Sequence, residues 1–346
     1  MRKMYNKNEL FGKSFINHYN KHKDRIYWLD NIKFFLILSV VTGHFTQHYI
    51  ENNEQLNFLH YFFSFYTMPA FIFITGFFSK KNGTDKTEQV IKYAFLYLIM
   101  QVIECSLGGA NLSIIKPGFT LWYLQAIIMY KLFVDAINLV KPIPLLIFSL
   151  FLGLFIGFDN FATTVGSASR IITMFPYFLL GYNFDNSMLW NIKKKRNIGV
   201  SVIIFSIFII IIFLIINGSF KMPIEMLYGK TPYKEMGLGT NGVFYRLLWY
   251  LISMAISFSI FAFIPKSKIN FVSKFGTRTL QVYCLHALVF LLFQNSTPYF
   301  YLKTLEPISQ SIVLLLGSVL LTLVLSLKIF SLPFDLIMKR KHIFMK

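Results

Sequence analysis

Long apolar runs alternate with short polar connections along the whole chain. Ten runs are rich enough in Phe, Leu, Ile and Val to read as membrane spans, near residues 29–50, 58–78, 91–112, 121–140, 143–158, 171–184, 198–216, 243–264, 279–293 and 308–330. A helix crosses the hydrocarbon of a bilayer with about 20 apolar residues; the fifth, sixth and ninth runs fall short of that length. The pattern predicts an all-α polytopic membrane protein of about ten transmembrane helices, without internal repeats or an appended soluble domain. Charge in the connections tests the count. Residues 1–28, 79–92, Lys141, 185–197, 265–278 and 333–346 together hold 24 Lys and Arg, whereas the alternate connections hold six. Basic connections stay in the cytoplasm. Both termini are therefore expected inside, with a basic segment over 1–28, a membrane domain over 29–332 and a basic tail over 333–346. The first segment has no early apolar core, so no cleavable signal peptide is expected.

Composition agrees. The 346 residues are 55% hydrophobic and 18% aromatic, with a mean hydropathy of +0.56, which excludes an ordinary soluble domain. A formal net charge of +19 would point to nucleic acid in a soluble protein. Here the charges cluster between apolar runs, so orientation and anionic lipid account for them and no nucleic-acid partner is expected. Cys105 and Cys284 lie in apolar runs and read as free thiols. The chain has no HExxH, GxSxG or CxxC pattern. Zinc, serine-hydrolase and thiol-redox chemistry thus lack motif support, and no metal is expected.

Ionisable groups inside the spans are costly to bury and commonly mark function. In "DNIKFFLILSVVTGHF", His44 follows Lys33 by 11 residues, about three helical turns and about 16 Å on one face. Lys33 either snorkels to the cytoplasmic interface or contributes to a site. His44 lies deeper, beside Gly43, and serves either chemistry or a structural hydrogen bond. His286 occupies the ninth span one turn after Tyr283, Glu104 the third, Arg170 opens the sixth and Arg246 the eighth. His48 and His60 flank the first exterior connection and read as solvated or interfacial. "PAFIFITGFFSKK" places Pro69 within the second span and Lys80 and Lys81 at its cytoplasmic mouth. That is either a kinked helix with a basic stop or a site for an anionic cofactor. The exterior connection 217–242, rich in Gly, Pro and Lys, is either functional or a flexible connector.

These segments resemble acyltransferase family 3, the integral-membrane acyltransferases, and within it the branch of fucose 4-O-acetylase-type enzymes and exopolysaccharide O-acetyltransferases. The family's basic residue, ten-residue spacer and histidine match Lys33 to His44, preceded by Asp30; lysine stands where arginine is commoner. "MPAFIFITGFF", from Met68 to Phe78, resembles the second-span motif, with Thr75 in place of serine and Thr67 where the branch often has histidine. "LWYLQAIIMY" resembles the Trp-containing fourth span through Trp122. "SRIITMFPYFLLGY" matches through Arg170, Pro176 and Gly181, and "FGTRTLQVYCLH" through Gly276, Tyr283 and His286. The motifs occur in order over nearly the whole chain.

The resemblance implies transfer of an acyl group, usually acetyl, from cytoplasmic acyl-CoA to a hydroxyl of a surface or extracellular polysaccharide or its lipid-linked precursor. The protein would sit as a multi-pass protein in the cell membrane, of the bacterial cytoplasmic type, with a homo-oligomer open. Such a reaction needs a base for the hydroxyl proton, and histidine suits that role near neutrality. His44 is the candidate base, with Lys33 and His286 as the other candidate catalytic groups. Lys33, Lys80 and Lys81 are the candidates for the CoA phosphates. Asp30, Glu104, Trp122, Arg170, Arg246 and Tyr283 are the candidates for substrate contact. The alternative is an exporter of polysaccharide or lipid-linked glycan without acyl-transfer chemistry.

Overall fold

The computed structural model describes residues 26–80, 86–109, 111–162 and 165–338. The regular secondary structure of the described residues is all helical. Long helices are α1 (Tyr27–Thr46), α2 (Glu54–Ser79), α3 (Lys86–Gly108), α4 (Trp122–Leu139), α5 (Pro142–Phe155), α6 (Ala168–Asn183), α8 (Lys195–Ile216), α10 (Gly242–Phe263), α12 (Thr279–Phe293) and α14 (Pro307–Leu325). Short helices α7 (Asn186–Ile192), α9 (Ile224–Tyr228), α11 (Asn270–Phe275), α13 (Thr297–Leu302) and α15 (Leu332–Met338) lie between or after them. Each of the ten apolar runs falls in one long helix. Among the described residues five stretches are long and apolar enough to cross a membrane: Glu54–Ser79, Lys86–Gly108, Asn197–Ile216, Gly239–Phe263 and Pro307–Leu325. Pro142–Phe158 and Thr279–Phe293 are apolar but shorter, and α1 carries Asp30 and Lys33.

Apolar side chains point outward as well as inward. Ile147, Phe151, Ile203, Ile210, Leu316 and Leu320 are all exposed, a surface that water would penalise and a lipid chain would not. Inside, α2 is the hub. It touches α1, α6, α8 and α10. Its closest crossing is with α6, and two glycines permit it. A Cβ on Gly76 would stand 2.1 Å from the Phe178 carbonyl oxygen, and one on Gly181 would stand 1.9 Å from that of Phe73. Each helix therefore sets a hydrogen-only position against the other's backbone. Both carry an interior proline, Pro69 in α2 and Pro176 in α6, and each removes one backbone donor from its helix.

Polar anchors fix the ends. Asn53 caps α2 by accepting from the Leu56 amide at 3.0 Å, and its Nδ2 donates to the Pro307 carbonyl at 2.8 Å and to Gln310 Oε1 at 2.9 Å. One side chain thus ties the turn after α1 to the start of α14. At the other end, Asn31 donates to the carbonyls of Pro265 and Ser267 and accepts from Ser273 Oγ at 2.6 Å. There Gly276 lies so close to Asp30 that a Cβ would meet its carbonyl oxygen at 1.8 Å.

Connection 217–242 is folded against the bundle and is not a flexible connector; whether it has a function depends on what it lines. Met222, Met226, Leu227 and Tyr233 are buried. The Tyr233 hydroxyl donates to the Leu154 carbonyl at 2.7 Å, and its amide to that of Gly157 at 2.7 Å.

Candidate active site

Two cavities open from opposite ends of the bundle. One, of about 270 Å³, is lined at the N-terminal end of α1 by Lys33, at the C-terminal end of α2 by Phe78 and Ser79, and by Gln89, Lys131 and Tyr283. The other, of about 220 Å³, is lined at the C-terminal end of α1 by His44 and Gln47, with His60, Trp122, Arg170 and Tyr228. Val40 and Met68 line both. The two spaces therefore meet at a wall made of one branched and one unbranched apolar side chain.

His44 reaches its cavity as the three-turn spacing from Lys33 requires. Its ring packs on Phe119 at 4.8 Å and faces His286 at 5.3 Å between centroids. Among the described residues no hydrogen bond reaches a His44 ring nitrogen, so its lone pair is free for a substrate. His286 is wholly buried behind it. The His286 Nδ1 lies 3.0 Å from the Val282 carbonyl oxygen. That contact assigns the proton to Nδ1 and leaves Nε2, which has no partner, as an acceptor.

Phe119 is held by a polar scaffold. Gln101, on α3, donates to the carbonyls of Ser113 at 2.7 Å and Lys116 at 2.9 Å and accepts from the Gly118 amide at 2.8 Å. Glu104, one turn on and buried, accepts from Thr120 Oγ1 at 3.2 Å. The Tyr283 hydroxyl donates to the Thr120 carbonyl. Glu104 thus braces the segment that covers His44 rather than lining either cavity.

Arg170 and Trp122 come together: the guanidinium lies 5.0 Å from the indole centroid. The Arg170 Nε is buried without a partner, and no carboxylate pairs with Arg170 among the described residues. Lys230 stands at the mouth. Burial, and then the Arg170 guanidinium, lower its ammonium from the ordinary value, with Glu225 opposing. Arg246 is elsewhere. Fully buried, it donates to the Gly153 carbonyl at 3.2 Å and lies 4.6 Å from the Tyr233 ring centroid. It clasps the C-terminal end of α5 to the folded connection.

In the opposite cavity Lys33 pairs with Asp30 at 2.8 Å and lies 5.4 Å from the Phe78 ring centroid. Asp30 serves that pair and the Gly276 contact and does not line the cavity. Lys80 turns away, donating to the Phe184 carbonyl at 3.2 Å and pairing with Asp185 at 3.4 Å. Lys81 lies outside the described residues. Lys131, absent from the sequence candidates, supplies the second cation here and donates to Gln89 Oε1 at 2.6 Å. Tyr123, next to Trp122, faces this cavity and shares a 2.8 Å hydrogen bond with Thr75.

His60 departs most from expectation. It is buried, lines the His44 cavity, and its Nε2 lies 2.6 Å from the Tyr228 hydroxyl. Its partner arrives from the connection before α10, so no local pattern announces the burial. His48 is exposed at the rim, stacked 5.4 Å from Phe290. Thr67 lines the His44 cavity and donates to the Phe63 carbonyl at 2.7 Å. No group of three or more His, Cys, Asp or Glu able to hold a metal ion occurs among the described residues.

No curated protein and no solved structure matches the chain. The family described as an acyltransferase domain, acyltransferase family 3, matches residues 26–327, a stretch that takes in α1 to α14, both cavities and every residue described around them. The chain belongs to acyltransferase family 3 and is a membrane acyltransferase.

Proposed function

We propose that acyl-CoA, most simply acetyl-CoA, enters the Lys33–Lys131 cavity from the cytoplasm. Its acyl group then passes to a hydroxyl of a surface or extracellular glycan, or its lipid-linked precursor, held in the His44 cavity. The single observation that carries this reading is the pair of opposed cavities meeting at Val40 and Met68. A donor with a long flexible arm and an acceptor on the other side of the membrane need that layout. The 24-to-6 charge asymmetry supports ten spans with both termini cytoplasmic, which puts the Lys33 cavity inside.

The chemistry follows from the groups present. Lys33 and Lys131 attract the phosphates of CoA. His44, whose ring nitrogens have no hydrogen-bond partner among the described residues, accepts the proton of the acceptor hydroxyl as its oxygen bonds to the acyl carbon. The thioester C–S bond then breaks, and the proton is returned to the CoA thiolate. His286 orients the His44 ring from behind with a neutral face.

The test is transfer of acetyl from labelled acetyl-CoA by the reconstituted protein. His44→Gln keeps size and hydrogen bonding but cannot take the proton, so transfer should fall by at least about 100-fold. The thermal unfolding midpoint should hold. Near wild-type transfer by His44→Gln, with His286→Gln inactive, would move the base to α12. Cells lacking the protein should export glycan without its O-acyl groups. Loss of export with unchanged acylation would favour the exporter.

A further inference from the structure

The charge of the His44 cavity does not match its surroundings. The connections at this end of the bundle, residues 51–57, 113–120, 159–170, 217–242 and 294–307, hold six basic and six acidic residues. Chance sampling of that surface would give a cavity of mixed sign. Its lining instead includes Arg170 and Lys230, with His44 and His60, and no Asp or Glu. The nearest acid with an influence on Lys230, Glu225, is not part of the wall.

Arg170 also occupies a position that helix energetics disfavour. It lies in the first turn of α6, which begins at Ala168, where the macrodipole repels a cation. The residue before that helix, Ser167, is the one non-glycine with positive φ among the described residues, at 54°, a conformation that is strained for a residue with a Cβ. Among the described residues no carboxylate compensates Arg170. Its buried Nε has no hydrogen bond, and the indole of Trp122 supports one face of the guanidinium. A half-buried cation with no carboxylate partner among the described residues, set 5.0 Å from an indole centroid and lining a cavity with a second cation at its mouth, is half of an ion pair.

We infer that the acceptor glycan is anionic: the sugar that receives the acyl group, or the unit next to it, carries a carboxylate or a phosphate that Arg170 and Lys230 bind. This rests on the reading of the His44 cavity as the acceptor site. The fork of Arg170 takes the anion and Trp122 offers a face to the ring. A hydroxyl of the same unit is thereby brought to His44. The hydroxyls of Ser39 and Thr67 already donate to helix carbonyls, so Arg170 and Lys230 are the cationic donors that this wall offers an anion. Arg170 is thus a specificity-determining residue for the acceptor, and Lys230 its partner at the rim.

The experiment measures acceptor binding separately from transfer. Full-length protein in phosphatidylcholine nanodiscs is titrated calorimetrically with matched trisaccharides: galactose against galacturonic acid, glucose against glucuronic acid, and each neutral sugar against its 6-phosphate. At least one anionic member should bind about tenfold or more tightly than its neutral counterpart, as expected for a charge-assisted contact. The carboxylate and phosphate arms tell which anion the cavity takes. The preference should shrink toward unity in Arg170→Gln, recover in part in Arg170→Lys, and fall with added salt. Lys230→Gln, at the exposed mouth, should weaken it as well, and reads the same ratio if the Arg170 variants do not fold. Equal binding of all anionic and neutral pairs, or a preference unmoved in Lys230→Gln and in folded Arg170→Gln, overturns the inference. Anionic preference with no acyl transfer from acetyl-CoA would instead sink the proposed reaction and leave the anion site standing.

Discussion

Gln101 should control the site without touching either cavity. Its amide closes three hydrogen bonds to the segment between α3 and α4, at 2.7, 2.8 and 2.9 Å, and is buried. Gln101→Leu keeps the bulk and removes all three. At about 1 kcal/mol net each, the tethering lost is about 3 kcal/mol. The segment is otherwise largely exposed. The freed carbonyls and amide can therefore turn to water, which keeps the cost from rising to that of fully orphaned groups. That free energy corresponds to about a 100-fold rise in the population of the open segment. Hydrogen exchange of peptides spanning residues 113–120 should accelerate by about that factor. Peptides from α2 and α6 should not change. Because Phe119 rests on His44 at 4.8 Å, transfer should fall with the segment's order, while acetyl-CoA binding at the opposite end holds. Unchanged exchange in 113–120 would show that Glu104 and Tyr97, whose hydroxyl donates to the Ile114 carbonyl at 2.8 Å, suffice, and the argument from Gln101 would be wrong.

Gly181→Ala should destabilise the protein by about 1–3 kcal/mol or more, since its Cβ would meet the Phe73 carbonyl at 1.9 Å. Gly317→Ala on α14, with nothing within 4 Å, should be neutral or gain up to about 1 kcal/mol, and equal unfolding midpoints for the two variants would refute the close-crossing argument. Cysteine placed at exposed Asn52 should react with an impermeant maleimide from outside intact cells, and cysteine at exposed Lys194 should not. The native thiols, both buried, give little background, and labelling of both sites from outside would reject the orientation. Met68→Phe should stop transfer while acetyl-CoA still binds, and Met68→Ala should admit longer acyl chains, read as the product profile from acetyl-, butyryl- and hexanoyl-CoA. An unchanged profile in Met68→Ala would remove Met68 from the passage.

Features written within one helix were legible in the sequence. The spacing of Lys33 and His44 is a property of a single helix, and α1 carries both where the spacing requires. The ten apolar runs are local as well, and each is a helix. Positions set by contacts between distant segments were not. His60 could be read only as a histidine near a span end, because Tyr228, its partner, lies 168 residues away. Glu104 and Arg246 were both recognisable as costly groups in apolar runs. Whether they face a cavity or brace a neighbour depends on which helix lies beside them. Lys80 has the same ambiguity, resolved by Asp185. Lys131 is different: a lone lysine within the fourth apolar run meets the same criterion that singled out Lys33, and that signal was present in the sequence.

The layout also explains why α2 carries the densest motif. It lines the His44 cavity through His60 and Thr67, the opposite cavity through Thr75 and Phe78, and both through Met68. Pro69 follows immediately, and its missing amide releases the helix bond to the Phe65 carbonyl. The helix therefore lacks one backbone bond close to where the two cavities meet. About two turns beyond, Gly76 locks the same helix against the backbone of α6. A helix clamped there can hold its position while the side chain beside the proline moves. Methionine suits that position because it is unbranched and adapts its shape, whereas Val40 opposite is stiff at χ1. In the proposed reaction, passage between the cavities needs rotation about the bonds of this one side chain, and Met68 keeps water and acceptor from the thioester until an acyl group occupies the gap.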